Sequence, residues 1–431
     1  MSEKLNIRIE PVTRIEGHGA IVLNAKDGKL EDIKWEVIEA PRFFEAIVLG
    51  KSYEHIARIT SRICGICSIG HYLTALKAIE NAMDIKVTKQ TVLLRKLALH
   101  GENIQSHILH IGYLVAPDLF GVTSVIPLLQ SNIDAVKKII SVHKMANFIC
   151  DVACGRTTHP ITMCVGGFIN IPSIEKLKLL RNTIDKEFNN FKLVVSLILA
   201  NIDKLPEFNR DTEYIALNAN NEYALYDGEV LSSDTGKHDV IDYEKIVNEY
   251  TVEHSTAKYT KHKRDAYMVG ALARFNLNCN HLHDLAKNIA KRADLRAPSH
   301  NPFMNTIAQL VEIAHSMEDA IIIIDKLINN YILDEKIDIH AKAGRGVGAV
   351  EVPRGVLFHD YTFNENGVCT KANCVIPTNQ NHGNIQKDLE SLAPTVISKG
   401  KSIVERTLEM LVRAYDPCVS CSTHYLKVNY K

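Results

Sequence analysis

Arg62-Ile-Cys64-Gly-Ile-Cys67-Ser-Ile-Gly-His71 and Asp416-Pro-Cys418-Val-Ser-Cys421-Ser-Thr-His424 stand near the two ends of a 431-residue chain, and each sets two thiols three residues apart. That spacing lets one helical turn or tight loop aim both sulfurs at one ion. If Cys64 opens a helix, Cys67 and His71 follow on the same face, which sets His71 beside the metal. Small zinc modules usually close a local loop, whereas a four-thiolate site here joins residue 64 to residue 418 and draws the chain ends together. Spacing alone leaves the ion open between structural zinc, an iron-sulfur cluster and another thiophilic metal, and each pair also has the spacing of a redox dithiol. Arg62, His71, Asp416 and His424 lie within seven residues of a thiol, more polar equipment than a closed structural site requires.

Outward from these pairs the sequence is mainly helical. Apolar residues recur at three and four spacing over 61–83, 89–115, 131–154, 173–203, 281–295, 304–333 and 386–415. Residues 5–40 instead alternate apolar and polar around a turn at Asp27-Gly28, which predicts a small antiparallel β region over 1–40. The segment 206–240, rich in Asn, Asp, Glu and Tyr, reads as a surface insertion or a second small sheet. Neither an internal repeat nor a long linker breaks the chain, so 1–431 is expected to form a single interwoven domain. The expected class is α-rich α+β: a central bundle of long helices, small peripheral antiparallel sheets, and both chain ends meeting at a buried metal site.

Fifty basic and fifty acidic side chains cancel, which removes the global field that a nucleic-acid partner would require. The most apolar helical run, around 319–333, is interrupted by Asp325 and Lys326 and falls short of the roughly 20 apolar residues of a membrane span. The first residues lack an apolar signal stretch and a twin-arginine address, so cytoplasmic residence is expected. Ten cysteines are many for a compartment where disulfides rarely persist, and the paired ones read as metal ligands; Cys150, Cys164, Cys279 and Cys369 read as small buried hydrophobes. Gly344-Arg-Gly346-Val-Gly348 invites a dinucleotide reading, but a proline and another glycine follow where a helix should open.

The two cysteine motifs resemble the metal-binding signatures that bracket the large, catalytic subunit of nickel-iron hydrogenases. Intervening segments match in the family's order: Pro11-Val-Thr-Arg14-Ile-Glu16-Gly-His18, Gly155-Arg156, His159-Pro160, Gly166-Gly167-Phe168, Glu351-Val-Pro353-Arg354-Gly355, and Pro377 with Asn381. The resemblance spans residues 11–424, and within the family it points to the cytoplasmic multi-subunit enzymes linked to NAD(P), a deazaflavin or ferredoxin. It implies reversible heterolytic cleavage of H2 at a nickel-iron centre whose iron carries CO and CN ligands. Cys64 and Cys418 are then terminal on nickel, Cys67 and Cys421 bridge to iron, and the Cys418 thiolate is the first proton acceptor.

Glu16 is the implied proton relay, on the expectation that an enclosed carboxyl has its pKa raised; on its own it reads as a salt-bridge partner of Arg14. Arg354, after Pro353, resembles the residue whose guanidinium lies against the metal's ligands, although an arginine in that setting is more commonly a surface ion-pair partner. Where the family places an aspartate near the cyanides, this chain has Ser106, in Gln-Ser106-His107-Ile-Leu-His110. Asn103, His107 and His110 share one helix face, either lining the site or a proton path, or as core histidines held by backbone carbonyls.

A second ion, magnesium or iron, is implied at Glu45, the main-chain carbonyl of Cys374 and His424. Residues 425–431 form a tail where family members are often cut after nickel insertion. The remaining cysteines have no cluster spacing, so an iron-sulfur small subunit is a required partner, with flavin/NAD(P), deazaflavin or ferredoxin-linked subunits beyond it. Two competing classes are a silent electron-transfer scaffold akin to the related subunit of respiratory complex I, which lacks the full cysteine set, and a zinc-stabilised interaction protein.

Overall fold

The computed structural model describes residues 4–330, 335 and 339–423; His424, the 425–431 tail and the end of the 304–333 helix lie outside the described residues. Strands β1 (Lys4–Ile9), β2 (Gly19–Lys26) and β3 (Lys29–Val37) form an antiparallel meander. Asp27 and Gly28 both take positive φ, 48° and 74°, as the tight turn between β2 and β3 requires. The alternation then buries Ile21, Leu23 and Ala25 of β2 with Ile33, Trp35 and Val37 of β3.

Helices α1 (Ser68–Met83), α2 (Lys89–Leu109), α3 (Ile133–Cys154) and α4 (Ile174–Leu199) follow. Thr88 and Ser173 cap α2 and α4 by accepting from the N–H groups of Thr91 and Lys176, at 3.1 and 3.3 Å. After α4, β4 (Glu213–Asn218), β5 (Glu229–Ser232) and β6 (Gly236–His238) join β7 (Tyr267–Met268) in a sheet of order β7-β4-β5-β6. Within 206–240, β4 is thus a buried strand, and its Leu217 N–H donates to Glu351 at 2.7 Å. Helices α5 (Asp284–Arg292) and α6 (Asn305–Asn329) come next. α2, α3, α4 and α6 pack in a ring, each against the next, which is the expected bundle of long helices.

Strands β8 (Gly344–Val352), β9 (Gly355–Phe363) and β10 (Cys369–Val375) form a second antiparallel meander, buried against α1. A Cβ on Gly344, Gly346 or Gly348 would stand 2.1–2.2 Å from the carbonyl oxygens of Ala82, Ala78 and Thr74. Alternate glycines on one strand face therefore let β8 lie directly on successive turns of α1, which is the packing reason for the glycine-rich run.

The apolar period over 386–415 resolves into two helices, α7 (Pro377–Val396) and α8 (Lys401–Ala414), parted at Gly400 with φ 95°. α7 begins at Pro377, ahead of its apolar period, because Thr378, Asn379, Gln380, Asn381 and His382 are polar and nonetheless buried. Among the described residues no single helix is long and apolar enough to cross a membrane.

Candidate metal centre

Cys64 follows a short 3-10 turn, Ser61–Ile63, and Cys67 is the residue that opens α1. The loop between them folds back so that the N–H groups of Ile66 and Cys67 point at Cys64 Sγ, at 3.3 and 3.1 Å. At the other end of the chain, the Glu16 carbonyl accepts from Val419 N at 3.0 Å and Thr378 Oγ1 accepts from Cys418 N at 3.1 Å, which docks the second loop between the N-terminal segment and the start of α7. The sulfurs of Cys64, Cys67, Cys418 and Cys421 all lie within 4.8 Å of one another, with Cys64 and Cys418 3.5 Å apart. All four are buried.

Burial, and then the neighbouring thiols, pushes Cys418 well above the ordinary thiol range, and burial pushes Cys421 up to about 11. Four thiols this close cannot all ionise together in a dry site without a cation among them. The donor set therefore fits a thiophilic metal centre and does not fit a closed apolar core.

Two residues that the sequence reading passes over hold the loops in place. Arg42 Nη2 donates to the carbonyl of Ile63 at 2.6 Å and to that of Ser420, the residues immediately before Cys64 and Cys421. Glu102, fully buried on α2, accepts from Ile69 N at 2.7 Å and Gly70 N at 3.0 Å, and so caps the start of α1, where Cys67 supplies no side-chain cap. Gly70 permits this approach: a Cβ there would stand 2.1 Å from Val352 and 2.9 Å from Glu102 Oε1.

Arg42→Ala is expected to lower stability by about 1.5–3 kcal/mol, the scale of charged hydrogen bonds, and to lower metal content with it. Chemical denaturation and nickel assay read both, and an unchanged midpoint would dismiss the clamp.

The Glu102 carboxyl is pushed up to about 8 by burial and next by Cys64, against the hydrogen bonds from Ile69 and Gly70. Between its ordinary 4.5 and about 8 the folded chain keeps a proton that the unfolded chain has lost. Stability fully present below about 4.5 is then lost as pH rises through that window, by up to about 1.4 kcal/mol per pH unit. Metal-free Glu102→Gln protein should show a flatter decline in unfolding free energy between pH 5 and 8 than the wild type; parallel curves would contradict this.

Arg354 projects from the tight β8–β9 turn with Pro353 before it; Gly355 there has φ 137°, and a Cβ on it would meet Val269 at 2.4 Å. Far from pairing at the surface, Arg354 is buried. It donates from Nε to the Asp416 carbonyl and from Nη2 to Asp416 Oδ1 at 2.8 Å. Burial disfavours its charge, but Asp416 and then the thiols of Cys418, Cys67 and Cys64 hold the guanidinium well above its ordinary value. Its Nη1 is buried without a hydrogen-bond partner.

Glu16 lies beside Cys418 through a parallel bridge, and its Oε2 accepts from Ser420 N at 3.1 Å. Its side chain is half-buried, which corrects the expectation of an enclosed carboxyl. Arg14 is turned away from it and pairs with Asp118 at 2.5 Å. His71 Nδ1 meets His359 Nε2 at 3.1 Å, His359 Nδ1 meets the Tyr361 hydroxyl at 2.7 Å, and that hydroxyl lies 3.8 Å from Cys374 Sγ. This line leads from α1 to the Cys374 side chain, and the Cys374 main-chain N–H donates to Glu45 Oε1 at 2.9 Å. His424, the third member of that second site, is outside the described residues.

Ser106 is buried with an unpartnered hydroxyl. Asn103, His107 and His110 face α6: they meet Ser316 at 3.1 Å, Glu312 at 2.7 Å and Gln309 at 2.6 Å, and His110 also reaches the Arg413 carbonyl at 2.8 Å. They form a polar seam in the bundle, tied mainly by side chains. Cys150 and Cys369 are buried as expected, but Cys164 and Cys279 are only partly so.

The family model described as nickel-dependent hydrogenase matches residues 42–144 and 133–424, and one described as HoxL-like matches 6–40. The chain belongs to the nickel-dependent hydrogenase family. It is 30% identical over 429 residues to the sulfhydrogenase 1 subunit alpha of Pyrococcus furiosus, covering 98% of this chain and 99% of that one. To the NAD-reducing hydrogenase HoxS subunit beta of Cupriavidus necator it is 30% identical over 474 residues, with 99% and 96% covered. The solved structure of an NAD+-reducing NiFe-hydrogenase in the H2-reduced state superposes with a TM-score of 0.88 at 25% identity, covering 97% of this chain and 99% of that one. The protein is an oxidoreductase acting on H2.

Proposed function

We propose that Cys64, Cys67, Cys418 and Cys421 hold a nickel-iron pair with CO and CN ligands on iron, and that the chain cleaves H2 heterolytically and reversibly. The observation that carries this reading is the cluster of four buried thiols from both chain ends, with the unpartnered Nη1 of Arg354 among its charged neighbours. When bound, the centre supplies a redox-active Lewis acid that polarises H2 and takes up its electrons. The Cys418 thiolate receives the proton, and Glu16, bridged to Cys418 along the main chain, carries it outward from its partly buried position. Arg354 offers its free donor to an anionic diatomic ligand and, with Pro353 and Ser106, lines the dry side of the site. Because the site takes residues from both ends, the chain acts as one interwoven unit.

Glu45 and the Cys374 main chain, with His424, would hold magnesium or iron, and the chain of His71, His359 and Tyr361 would tie that ion to the cysteine loop. Electrons leave to an iron-sulfur small subunit: among the described residues the other cysteines form no cluster, and the relatives are named as subunits of larger enzymes. A flavin/NAD(P), deazaflavin or ferredoxin-linked subunit completes the route. A cytoplasmic setting accords with ten cysteines among which no disulfide forms.

Glu16→Gln tests the relay. The variant should keep its nickel and lose H2/D2 exchange by on the order of 10^2 to 10^4-fold; full exchange with nickel retained would refute it.

A further inference from the structure

Away from the cysteines, three imidazoles and one carboxylate converge where α2, α5 and α6 meet. His315 and Asp319 stand one turn apart on α6, His283 immediately precedes α5, and His100 comes from α2. Asp319 Oδ1 lies 3.3 Å from His283 Nε2, and Oδ2 lies 2.8 Å from His100 Nε2. The rings of His283 and His315 stack at 4.6 Å with 15° between their planes.

One ligand atom each from His283, His315 and Asp319 falls within 4.8 Å of the others. Imidazole and carboxylate ligands at about 2.0–2.2 Å from one tetrahedral ion stand about 3.3–3.6 Å apart, the separation that Asp319 Oδ1 and His283 Nε2 already have at 3.3 Å. Small side-chain rotations therefore suffice to close the set. His315 Nδ1 accepts the main-chain N–H of His283 at 3.3 Å, a long bond that an ion would replace. The back of the cluster is dry, since His315 and His100 are each 3% exposed, whereas the side chains of Asp319 and His283 are 28% and 32% exposed and leave a way in.

A hydrogen-bonded pair needs only one imidazole per carboxylate oxygen. Here a third ring is stacked on the second, and two nitrogens with one carboxylate oxygen are the donor set that suits borderline divalent ions. The geometry points to a further metal site, distinct from the cysteine centre and from the Glu45 site, at His283, His315 and Asp319 for a divalent transition ion of the zinc type, with His100 orienting Asp319, that fastens the start of α5 to α2 and α6. The site is independent of the cysteine centre and stands whether or not that reading holds.

The test uses full-length protein with its cysteine centre loaded, freed of loosely held ions with chelator and titrated with Co2+, followed by Zn2+ competition. One cobalt per chain is expected to bind with visible d–d absorption, without a thiolate charge-transfer band, and to be displaced by zinc. His283→Ala and Asp319→Asn should each weaken that binding by more than about 10-fold, beyond the lower end for losing an outer-shell partner, with unchanged far-UV circular dichroism. Asp319→Asn nearly preserves volume and serves if His283→Ala does not fold. No saturable binding, binding seen only with thiolate bands, or equal affinity in the folded variants would overturn the site.

Discussion

Cys418→Ser is expected to bring H2 turnover to background while leaving a folded chain. Serine is nearly isosteric and keeps the loop that Thr378 and Glu16 dock, because both of those bonds go to main-chain groups of residues 418 and 419. What it removes is the soft, ionisable sulfur. A serine hydroxyl does not ionise near neutral pH and is a hard donor, so three thiolates remain for a metal that prefers four. The same reasoning applies to Cys64, whose sulfur lies 3.5 Å away. Activity assay with far-UV circular dichroism reads the result; a nickel-loaded, active Cys418→Ser protein would contradict the assignment.

Arg354→Lys has the second largest expected effect, a loss in kcat on the order of 10^2 to 10^3-fold, the scale for removing one oriented donor from a water-excluded site. The charge is retained, so Asp416 keeps a cationic partner and the protein should fold. The planar fork is lost. Arg354 now spends Nε and Nη2 on Asp416 and holds Nη1 in reserve, and an ammonium that satisfies Asp416 cannot present a fixed third donor to the site. The expected pattern is normal nickel content and thermal stability with low kcat; wild-type kcat would remove Arg354 from the chemistry.

The cysteine pairs and the long helices are legible in the sequence for a physical reason. Metal chemistry dictates residue type and spacing within a few positions, and a bundle helix must repeat its apolar face every three or four residues. The groups that position the thiols leave no such trace. Arg42 acts on two carbonyl oxygens, and main-chain acceptors belong to every residue. Glu102 looks like any helix glutamate until α1 brings its orphan N–H groups against it.

The start of α7 escapes an apolar pattern because its buried face is polar. Gln380 Nε2 donates to the Val356 carbonyl at 2.6 Å, Asn379 to those of Lys258 and Ser422, and Trp35 Nε1 to His382 at 2.9 Å. The alternate glycines of β8 are a period-two signal, visible in the sequence but meaningful only once the helix that they contact is known. Glu16 shows the limit in the other direction: its motif locates it beside Cys418, whereas its exposure depends on tertiary packing.

Nickel and iron content, measured side by side in anaerobically purified wild-type protein and in Cys418→Ser, tests the central assignment most directly. The four-thiolate centre predicts one nickel and one iron at that site per wild-type chain, with nickel absent from the variant. A wild-type chain that carries no nickel, with zinc in its place that is lost when Cys418 is replaced, would contradict it.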